Sequence, residues 1–344
     1  MATTFKTLVL DKDVANTRTM LHEAIPLTGT IVSGTYADEN IKNYAHGMFQ
    51  SVYDYPYLSS SANHIFDLTV GYSANSALSG AASVQNAKKI NIYNQMAQVL
   101  VGYNETGAIR EFDQDGNLAA GGTKLKECLF INFSRLLTKD EIKKGSYILT
   151  ALTGGTPSAP TDTLTISDYG AASTYLTNSP AGEYAPLYTS SVGITSDSPV
   201  GLLYYQAGIA VLTASVFDGE FGAPAATYDT SSIDAVLTGS EISSSCDGIR
   251  NRWTDCDYNN TTELNSTIYF CRAGSNEFNY SSNPTYLSGS KIRVKNESTD
   301  APSSYITTIG LYSEDNELLA VAKVSEPLKK DPTNELTLRV RLDY

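Results

Sequence analysis

The chain has 344 residues and a formal net charge of −13, and charged residues make up only 18% of it. This length is enough for one large domain or for two to three ordinary ones. A nucleic-acid-binding protein needs Lys and Arg to neutralise phosphates, and this chain carries no basic stripe. No apolar run approaches the ~18 residues of a membrane-spanning helix. We therefore expect neither a nucleic-acid nor a membrane partner.

The N-terminal third is predicted to alternate short strands with helices. Strands are expected over its β-branched segments, Thr4–Leu10, Thr28–Thr35 and His64–Tyr72. Helices are expected where apolar residues recur at helical spacing, from Asp11 or Asp13 to Leu21, over Ile41–Tyr53 and over Val84–Tyr103. Gly102 is predicted to end the last of these helices, whose apolar stripe leaves Lys88 and Lys89 outside.

Two further strands are predicted before residue 153, at Leu125–Leu136 and Ser146–Leu152. Between them, Thr138 and Glu141 have the spacing of a capping box. This spacing predicts a short helical turn, which Gly145 would end.

The composition changes from Thr153 to Pro199, where Gly, Pro, Ser and Thr dominate. This segment is predicted to be either a long excursion or a loop-rich β insert with a strand at Thr163–Ser167. The apolar run Val200–Phe217 follows, and Gly208 divides it into two buried strands. Beyond it we expect a helical segment at Ser231–Gly248.

The C-terminal end is predicted to form three strands, Tyr305–Ser313, Leu318–Val324 and Leu336–Tyr344, after two shorter ones at Leu264–Cys271 and Ile292–Lys295. The polar connector between the first two of the three predicts a hairpin. Pro327 and Pro332 bracket the next link, because proline donates no hydrogen bond to a sheet. The last strand alternates with period two, and its apolar face is formed by Leu336, Leu338, Val340 and Leu342.

These elements predict an α+β fold that is mainly β. We expect antiparallel sheets, a few short helices in the N-terminal third and a C-terminal three-stranded antiparallel block. The domain organisation is predicted as an N-terminal α+β region over 1–152, the insert over 153–199 and a β-rich region over 200–344. The alternative, in which 200–344 and 1–152 form one continuous domain, stays open.

A search for catalytic chemistry finds no site. His22, His46 and His64 have no signature neighbour, and no phosphate-binding, metalloprotease or nucleophile motif is present. The sequence at Asp113, Asp115 and Asn117 invites a calcium interpretation, but its Gly is misplaced and no Glu closes the loop. A turn is favoured there. We therefore predict no enzyme and no catalytic, cofactor-binding or metal-binding residues, and no cofactor.

The four cysteines and the single tryptophan are expected to be structural residues. Cys128, Cys246, Cys256 and Cys271 match no zinc-ligand spacing, and no histidine lies near the last three. The N-terminus lacks the apolar region of a secretory signal, so free thiols are favoured over a disulfide. Trp253 is expected to be a core anchor or an interface residue.

Four segments together resemble virion structural proteins of contractile-tailed, T4-like bacteriophages, especially those of marine and cyanobacterial hosts. They are Ser61–Tyr72, Val200–Leu212, Phe278–Tyr286 and Tyr305–Lys330. The resemblance implies a non-enzymatic subunit of the virion, synthesised in the host cytoplasm. It does not distinguish tail, baseplate and neck, of which we favour tail or baseplate. Its implied partners are other virion proteins and copies of itself.

The alternatives are a receptor- or glycan-binding phage protein, such as an adhesin associated with a tail fibre, and a neck or head-decoration protein. A Tyr-rich β protein can stack its rings on sugars. Contact with the host surface is expected only under the receptor-binding alternative. A glycan-cleaving enzyme with paired carboxylates is a weaker alternative, since a single tryptophan offers little of the aromatic platform that such enzymes use.

Overall fold

A computed structural model describes most of the chain. The described residues are 5–27, 38–80, 83–119, 121–152, 155–156, 159–160, 163–189, 199–217, 233–238, 241–250, 252–281, 283–289, 291–292, 297 and 299–344. The predicted strand Thr28–Thr35 lies outside these ranges.

The described elements are six α-helices and 22 strands. The helices are α1 (Leu10–Asp13), α2 (Val84–Leu100), α3 (Arg135–Thr138), α4 (Ala171–Thr174), α5 (Ile233–Thr238) and α6 (Ile242–Arg250). The strands are β1 (Val14–Pro26), β2 (Ile41–Asn43), β3 (Gln50–Tyr53), β4 (His64–Tyr72), β5 (Phe112–Asp113), β6 (Lys124–Leu125), β7 (Glu127–Phe133), β8 (Glu141–Ile142), β9 (Ile148–Leu152), β10 (Gly155–Thr156), β11 (Ala159–Pro160), β12 (Thr163–Ser167), β13 (Leu176–Ser179), β14 (Gly182–Leu187), β15 (Gly201–Tyr204), β16 (Ile209–Thr213), β17 (Trp253–Ala273), β18 (Leu287–Ser288), β19 (Lys291–Ile292), β20 (Ser304–Tyr312), β21 (Leu318–Lys330) and β22 (Leu336–Asp343). The fold is α+β, mainly β, with antiparallel sheets, as the sequence predicts.

The chain divides into two compact units. The terminal unit comprises Met1–Met20 and Glu263–Tyr344, and the central unit comprises Leu21–Thr262. The boundaries fall inside β1 and β17, and they differ from the predicted boundaries after residues 152 and 199. Described parts of 153–199 contribute β12, β13 and β14 to the two large sheets.

An eight-stranded antiparallel sheet forms the centre of the central unit, in the order β13-β14-β15-β16-β7-β4-β3-β2. The prediction of β4 is confirmed at both ends, and β7 lies within the predicted strand Leu125–Leu136. Both faces of β7 are buried. Three consecutive residues, which point alternately to the two faces, are all inaccessible, and this accounts for the continuous apolar run Leu129, Phe130 and Ile131. β15 and β16 are the predicted buried pair, and Gly208 adopts a positive φ of 67° in the turn that joins them.

The helix α2 packs on β4. It begins after Ser83, whose side chain accepts a hydrogen bond from the Asn86 N–H, and ends before Gly102, which has a φ of 73°. Its buried face is rotated from the predicted apolar stripe, because Asn86 and Lys89 are buried whereas Val84, a residue of that stripe, is exposed. The stripe was predicted at Val84, Ala87, Ile90, Tyr93 or Asn94, Ala97 and Leu100, of which Tyr93, Ala97 and Leu100 are buried.

Three predictions in the N-terminal segment are wrong. Residues 5–9 form no strand, and α1 is a single turn after which the chain extends as β1 beside β17. The predicted helix Ile41–Tyr53 is the hairpin β2–β3, in which Ile41 pairs with Val52. Gly47 adopts a positive φ of 61° in the middle of this segment, and pairing with β4 outweighs the apolar spacing that suggested a helix.

The predicted helical turn between Thr138 and Gly145 is also wrong. Thr138 is the last residue of α3, and Glu141 begins β8, which pairs with β17 through Thr261. Glu141 contacts Lys144 at 3.2 Å, so it makes no capping box. The strands predicted at Ser146–Leu152 and Thr163–Ser167 are present as β9 and β12 and pair with each other.

The buried carboxylate of Asp168 holds the connections beside β9 and β12. It accepts hydrogen bonds from the Gly145 N–H at 2.6 Å, the Tyr147 N–H at 3.0 Å and the Tyr205 hydroxyl at 2.8 Å. Burial raises the pKa of Asp168, although these three hydrogen bonds oppose the shift.

In the terminal unit, the three predicted C-terminal strands are present but do not form one block. β20 and β21 make a two-stranded ribbon, whereas β22 pairs with the Ser266–Ala273 part of β17. The alternation in β22 places Val340 opposite Tyr269, and this distant pairing buries Val340. Pro327 lies inside β21 rather than in a link. It falls where the register of the ribbon shifts, a position that tolerates proline.

Candidate assembly surface

His64 lies close to one carboxylate, but its hydrogen bonds are not those of a catalytic triad. Its Nε2 lies 2.8 Å from Asp67 Oδ1, and the Ser51 hydroxyl donates to the same oxygen at 2.5 Å. A hydrolytic triad needs the serine to hydrogen-bond the histidine, so that the imidazole can take its proton. Here the carboxylate binds the serine directly, and Ser51 is buried. The cluster is suited to joining β3 to β4.

The other two histidines lie apart. His22 Nδ1 is 3.2 Å from the Thr261 hydroxyl, where β1 passes β17. His46 stacks on Tyr44, with ring centroids 5.1 Å apart and an angle of 10° between the planes. Within the described ranges, no group of three or more His, Cys, Asp or Glu residues could hold a metal ion.

The Asp113–Asn117 segment forms a turn after β5, as favoured from the sequence. Asp113 is buried and forms an ion pair with Lys124, while Asp115 accepts from the Asn117 N–H at 3.0 Å. Burial raises the pKa of Asp113, and Lys124 opposes that shift.

The four cysteines have free thiols, of which Cys128, Cys246 and Cys256 are buried and Cys271 is partly exposed. Burial raises the pKa of these thiols, which disfavours the reactive thiolate. Trp253 is a core anchor, since it is 1% exposed and its ring lies 5.6 Å from that of Phe66. Among the described residues, no helix is long and apolar enough to cross a membrane.

The feature that stands out is the distribution of apolar side chains between the two units. All residues of the hydrophobic core cluster belong to the central unit. Among the described residues of the terminal unit, only Ala273 and Val340 are buried apolar side chains. Yet 12 of the 22 exposed large apolar side chains of the described chain lie in this unit. The terminal unit thus presents apolar surface instead of burying it.

Polar contacts hold much of the terminal unit together. Lys330 is fully buried, and its ammonium donates to the Ser275 carbonyl at 3.2 Å and to Asn279 Oδ1 at 2.7 Å. Arg272 lies 3.2 Å from Asp13, and Lys6 lies 2.5 Å from Glu277. These interactions fix the geometry of the unit but contribute little burial of apolar area.

A group of exposed apolar side chains lies at the outer half of the β20–β21 ribbon, and we call it the ribbon cluster. It consists of Phe5, Tyr312, Leu318, Leu319 and Val321, which are between 48% and 67% exposed. A Cβ atom at Gly310 would lie 2.9 Å from the Tyr312 ring and 3.2 Å from Leu318 Cδ1, so both side chains cover the same face of the ribbon at this glycine.

Sequence reasoning found the two ribbon strands but missed the ribbon cluster. The sequence predicts Phe5 within a strand, Thr4–Leu10, and nothing in its local sequence indicates that its ring reaches Tyr312. The exposed Tyr and Leu residues were part of the resemblance segment Tyr305–Lys330. The sequence signal of a protein-binding surface is its composition, in which Ser, Thr, Asn, Gly and 23 tyrosines take the place of charged residues.

The two units also differ in charge. The terminal unit contains 12 Lys and Arg against 13 Asp and Glu, whereas the central unit contains 12 against 24. Nearly all of the net negative charge therefore belongs to the central unit.

A polar pocket lies in the central unit, at the β2–β3 hairpin. It has a volume of about 190 Å³ and is lined by Tyr44 and Phe49 together with polar side chains that include Asn43, Lys88 and Glu241. The ammonium of Lys42 lies 4.7 Å from the centre of the Tyr44 ring.

Comparisons with protein-family models, with curated proteins and with solved structures found no match.

Proposed function

We propose that this protein is a non-enzymatic structural subunit of a bacteriophage virion and that it assembles through its terminal unit. The observation that carries the proposal is the contrast between the units. The central unit contains the whole described hydrophobic core cluster, while the terminal unit carries 12 of the 22 exposed large apolar side chains of the described chain. Soluble proteins rarely leave such groups uncovered unless another protein covers them.

The ribbon supports the same conclusion. A two-stranded antiparallel ribbon is marginally stable in water unless it packs against something else. Among the described residues, β20 and β21 pair only with each other, so both outer edges of the ribbon are open to a further strand. Contact with a neighbouring protein would cover these edges and the ribbon cluster.

The virion context rests on the resemblance of Ser61–Tyr72, Val200–Leu212, Phe278–Tyr286 and Tyr305–Lys330 to structural proteins of contractile-tailed phages. Tail or baseplate is favoured over neck. The negative charge of the central unit suits this role, because mutual repulsion keeps free subunits apart before they assemble.

Mass spectrometry of purified particles of the encoding phage tests the proposal. We expect the chain at a defined copy number in particles that survive a density gradient and a salt wash. Its absence from such particles would overturn the proposal. Immunogold labelling with an antibody against the chain would then distinguish tail and baseplate from neck.

A glycan-binding role is the second candidate, and the Tyr44 pocket is the observation that favours it. Aromatic rings next to amide and carboxylate side chains are the usual components of a sugar site. A glycan array probed with the wild type and with Tyr44→Ala tests this role. Binding that is lost in Tyr44→Ala would support it, and an array without signal for folded protein would contradict it.

A further inference from the structure

The exposed face of the outer half of the ribbon is acidic at the turn and basic at Lys323. The turn that joins β20 to β21 contains three carboxylates, those of Glu314, Asp315 and Glu317. Lys323 pairs with Thr308 farther along the ribbon, and its side chain is exposed. Within the described chain, none of these four side chains makes a hydrogen bond or an ion pair. The ribbon cluster lies between the acidic turn and Lys323.

We propose that this face binds the same face of a second copy of the chain, with the two ribbons antiparallel about a two-fold axis. The inference rests on the proposed function and names the partner of that surface. In a two-fold interface the same patch occurs on both sides and must be complementary to itself. An acidic end and a basic end meet this condition only in the antiparallel orientation, where each turn faces the Lys323 of the other copy.

The spacing along β21 fits this arrangement. Leu318 and Val321 lie between the turn and Lys323, so an axis that brings Lys323 to the opposite turn passes through the ribbon cluster. Each strand residue advances the chain by ~3.3 Å, which puts the charged ends on the order of 10 Å from the axis. The two clusters would then meet at the centre, with the two charge contacts at the rim, as in most protein interfaces.

The size of the surface indicates a weak contact in solution. One half of a two-stranded ribbon offers less area than the ~800 Å² per partner of a standard stable interface. In a particle, other contacts hold the copies side by side and raise their effective concentration. The pairing therefore has to be measured at high protein concentration and low salt, where exposed charges are least screened.

A charge-swap experiment tests the pairing. The lysine variant is Lys323→Glu, and the turn variant combines Glu314→Lys with Glu317→Lys. Each variant alone places like charges at both rim contacts, whereas a mixture of the two restores attraction at both. In sedimentation equilibrium, we expect the wild type to dimerise, each variant alone to dimerise about tenfold more weakly, and the mixture to recover wild-type affinity as a heterodimer.

Lys12→Glu is the matched control, because it makes the same charge change at an exposed lysine outside the ribbon. Its dimerisation should equal that of the wild type, and circular dichroism should show that every variant is folded. A wild type that stays monomeric, or a mixture that fails to recover affinity, would overturn the inference. If the wild type is monomeric but abundant in particles, the proposed function stands and another virion protein covers the ribbon.

Discussion

The ring of Phe5 meets the ring of Tyr312 edge-on, with centroids 5.6 Å apart and planes at 87°. This contact joins the first described residue of the chain to the end of β20 in the terminal unit. Edge-to-face pairs contribute about 0.5–1.5 kcal/mol beyond the area that they bury. Both rings nevertheless remain largely exposed, at 62% and 48%, so most of their apolar area is available to a partner.

Tyr312→Ser should reduce incorporation into particles without unfolding the protein. The side chain is about half exposed, so its loss should change the free energy of unfolding by no more than about 1.5 kcal/mol, the upper limit for the pair with Phe5. An anchor aromatic that becomes buried in an interface typically costs about 2 kcal/mol or more of binding free energy when it is removed. Complementation of a gene-deleted phage, followed by mass spectrometry of the particles, measures the effect.

Tyr169→Ser provides the matched control, because Tyr169 is 54% exposed and lies in the central unit. We expect normal incorporation of that variant. Equal incorporation of both variants would show that the ribbon cluster is not the assembly surface.

Val340→Asp should destabilise the terminal unit. Val340 is 6% exposed at the centre of the apolar face of β22, and a carboxylate there would lack a cationic partner. We expect a loss of about 3 kcal/mol or more, or misfolding of the unit, measured by urea unfolding. Arg339→Asp is the control, since Arg339 lies on the exposed face of the same strand, and it should cost less than about 1 kcal/mol.

The sequence predicted those parts of the fold in which local pattern and long-range pairing agree. β4 and β12 are continuous β-branched or alternating runs flanked by polar residues, and their bounds match the prediction. Ile41–Tyr53 also has an apolar period, but its partners lie in β4, and pairing with that strand decides its conformation. The partner of β22 could not be predicted, because any neighbouring apolar strand satisfies its period-two pattern.

The candidate surface was less predictable than the fold. Whether Leu318 and Val321 are exposed depends on whether another layer covers the ribbon, and no local residue specifies this. The buried lysine of α2 is a similar case. Lys88 and Lys89 are adjacent and chemically identical, and only the packing of α2 selects Lys89 for burial.

Lys89 should make stability depend on pH in the alkaline range. Its ammonium donates to the Leu237 carbonyl, and burial lowers the pKa of Lys89 to about 8, although the neighbouring Cys246 opposes the shift. Between pH 8 and the unfolded-state pKa of 10.5, the unfolded chain binds more protons than the folded one. Stability therefore rises with pH in this window, by up to about 3 kcal/mol from this group.

Lys89→Met removes the ammonium, and burial raises the pKa of the neighbouring Cys246 thiol, so the loss of Lys89 is the main change in titration between the two proteins. As the pH rises from 8 to 10.5, the free energy of unfolding of the wild type should increase relative to that of the variant. Lys88→Met, at the partly exposed neighbouring position, is the control. A difference that is constant from pH 7 to 10.5 would contradict the prediction.

Gly71 allows α2 to approach β4, and Gly71→Ala should separate them. A Cβ atom at this position would lie 2.8 Å from the Lys89 carbonyl oxygen and 2.9 Å from the Tyr93 backbone nitrogen. Because both contacts are to helix backbone, no side-chain rotation can relieve them, and α2 must move as a whole. We expect a loss of about 1–3 kcal/mol in unfolding free energy.

Gly80→Ala is the matched control, since a Cβ atom there would have no neighbour within 4 Å, and its effect should stay within about 0.5 kcal/mol. Equal stability of the two variants would show that the helix and strand can separate without cost, which the close packing of β4 against α2 argues against.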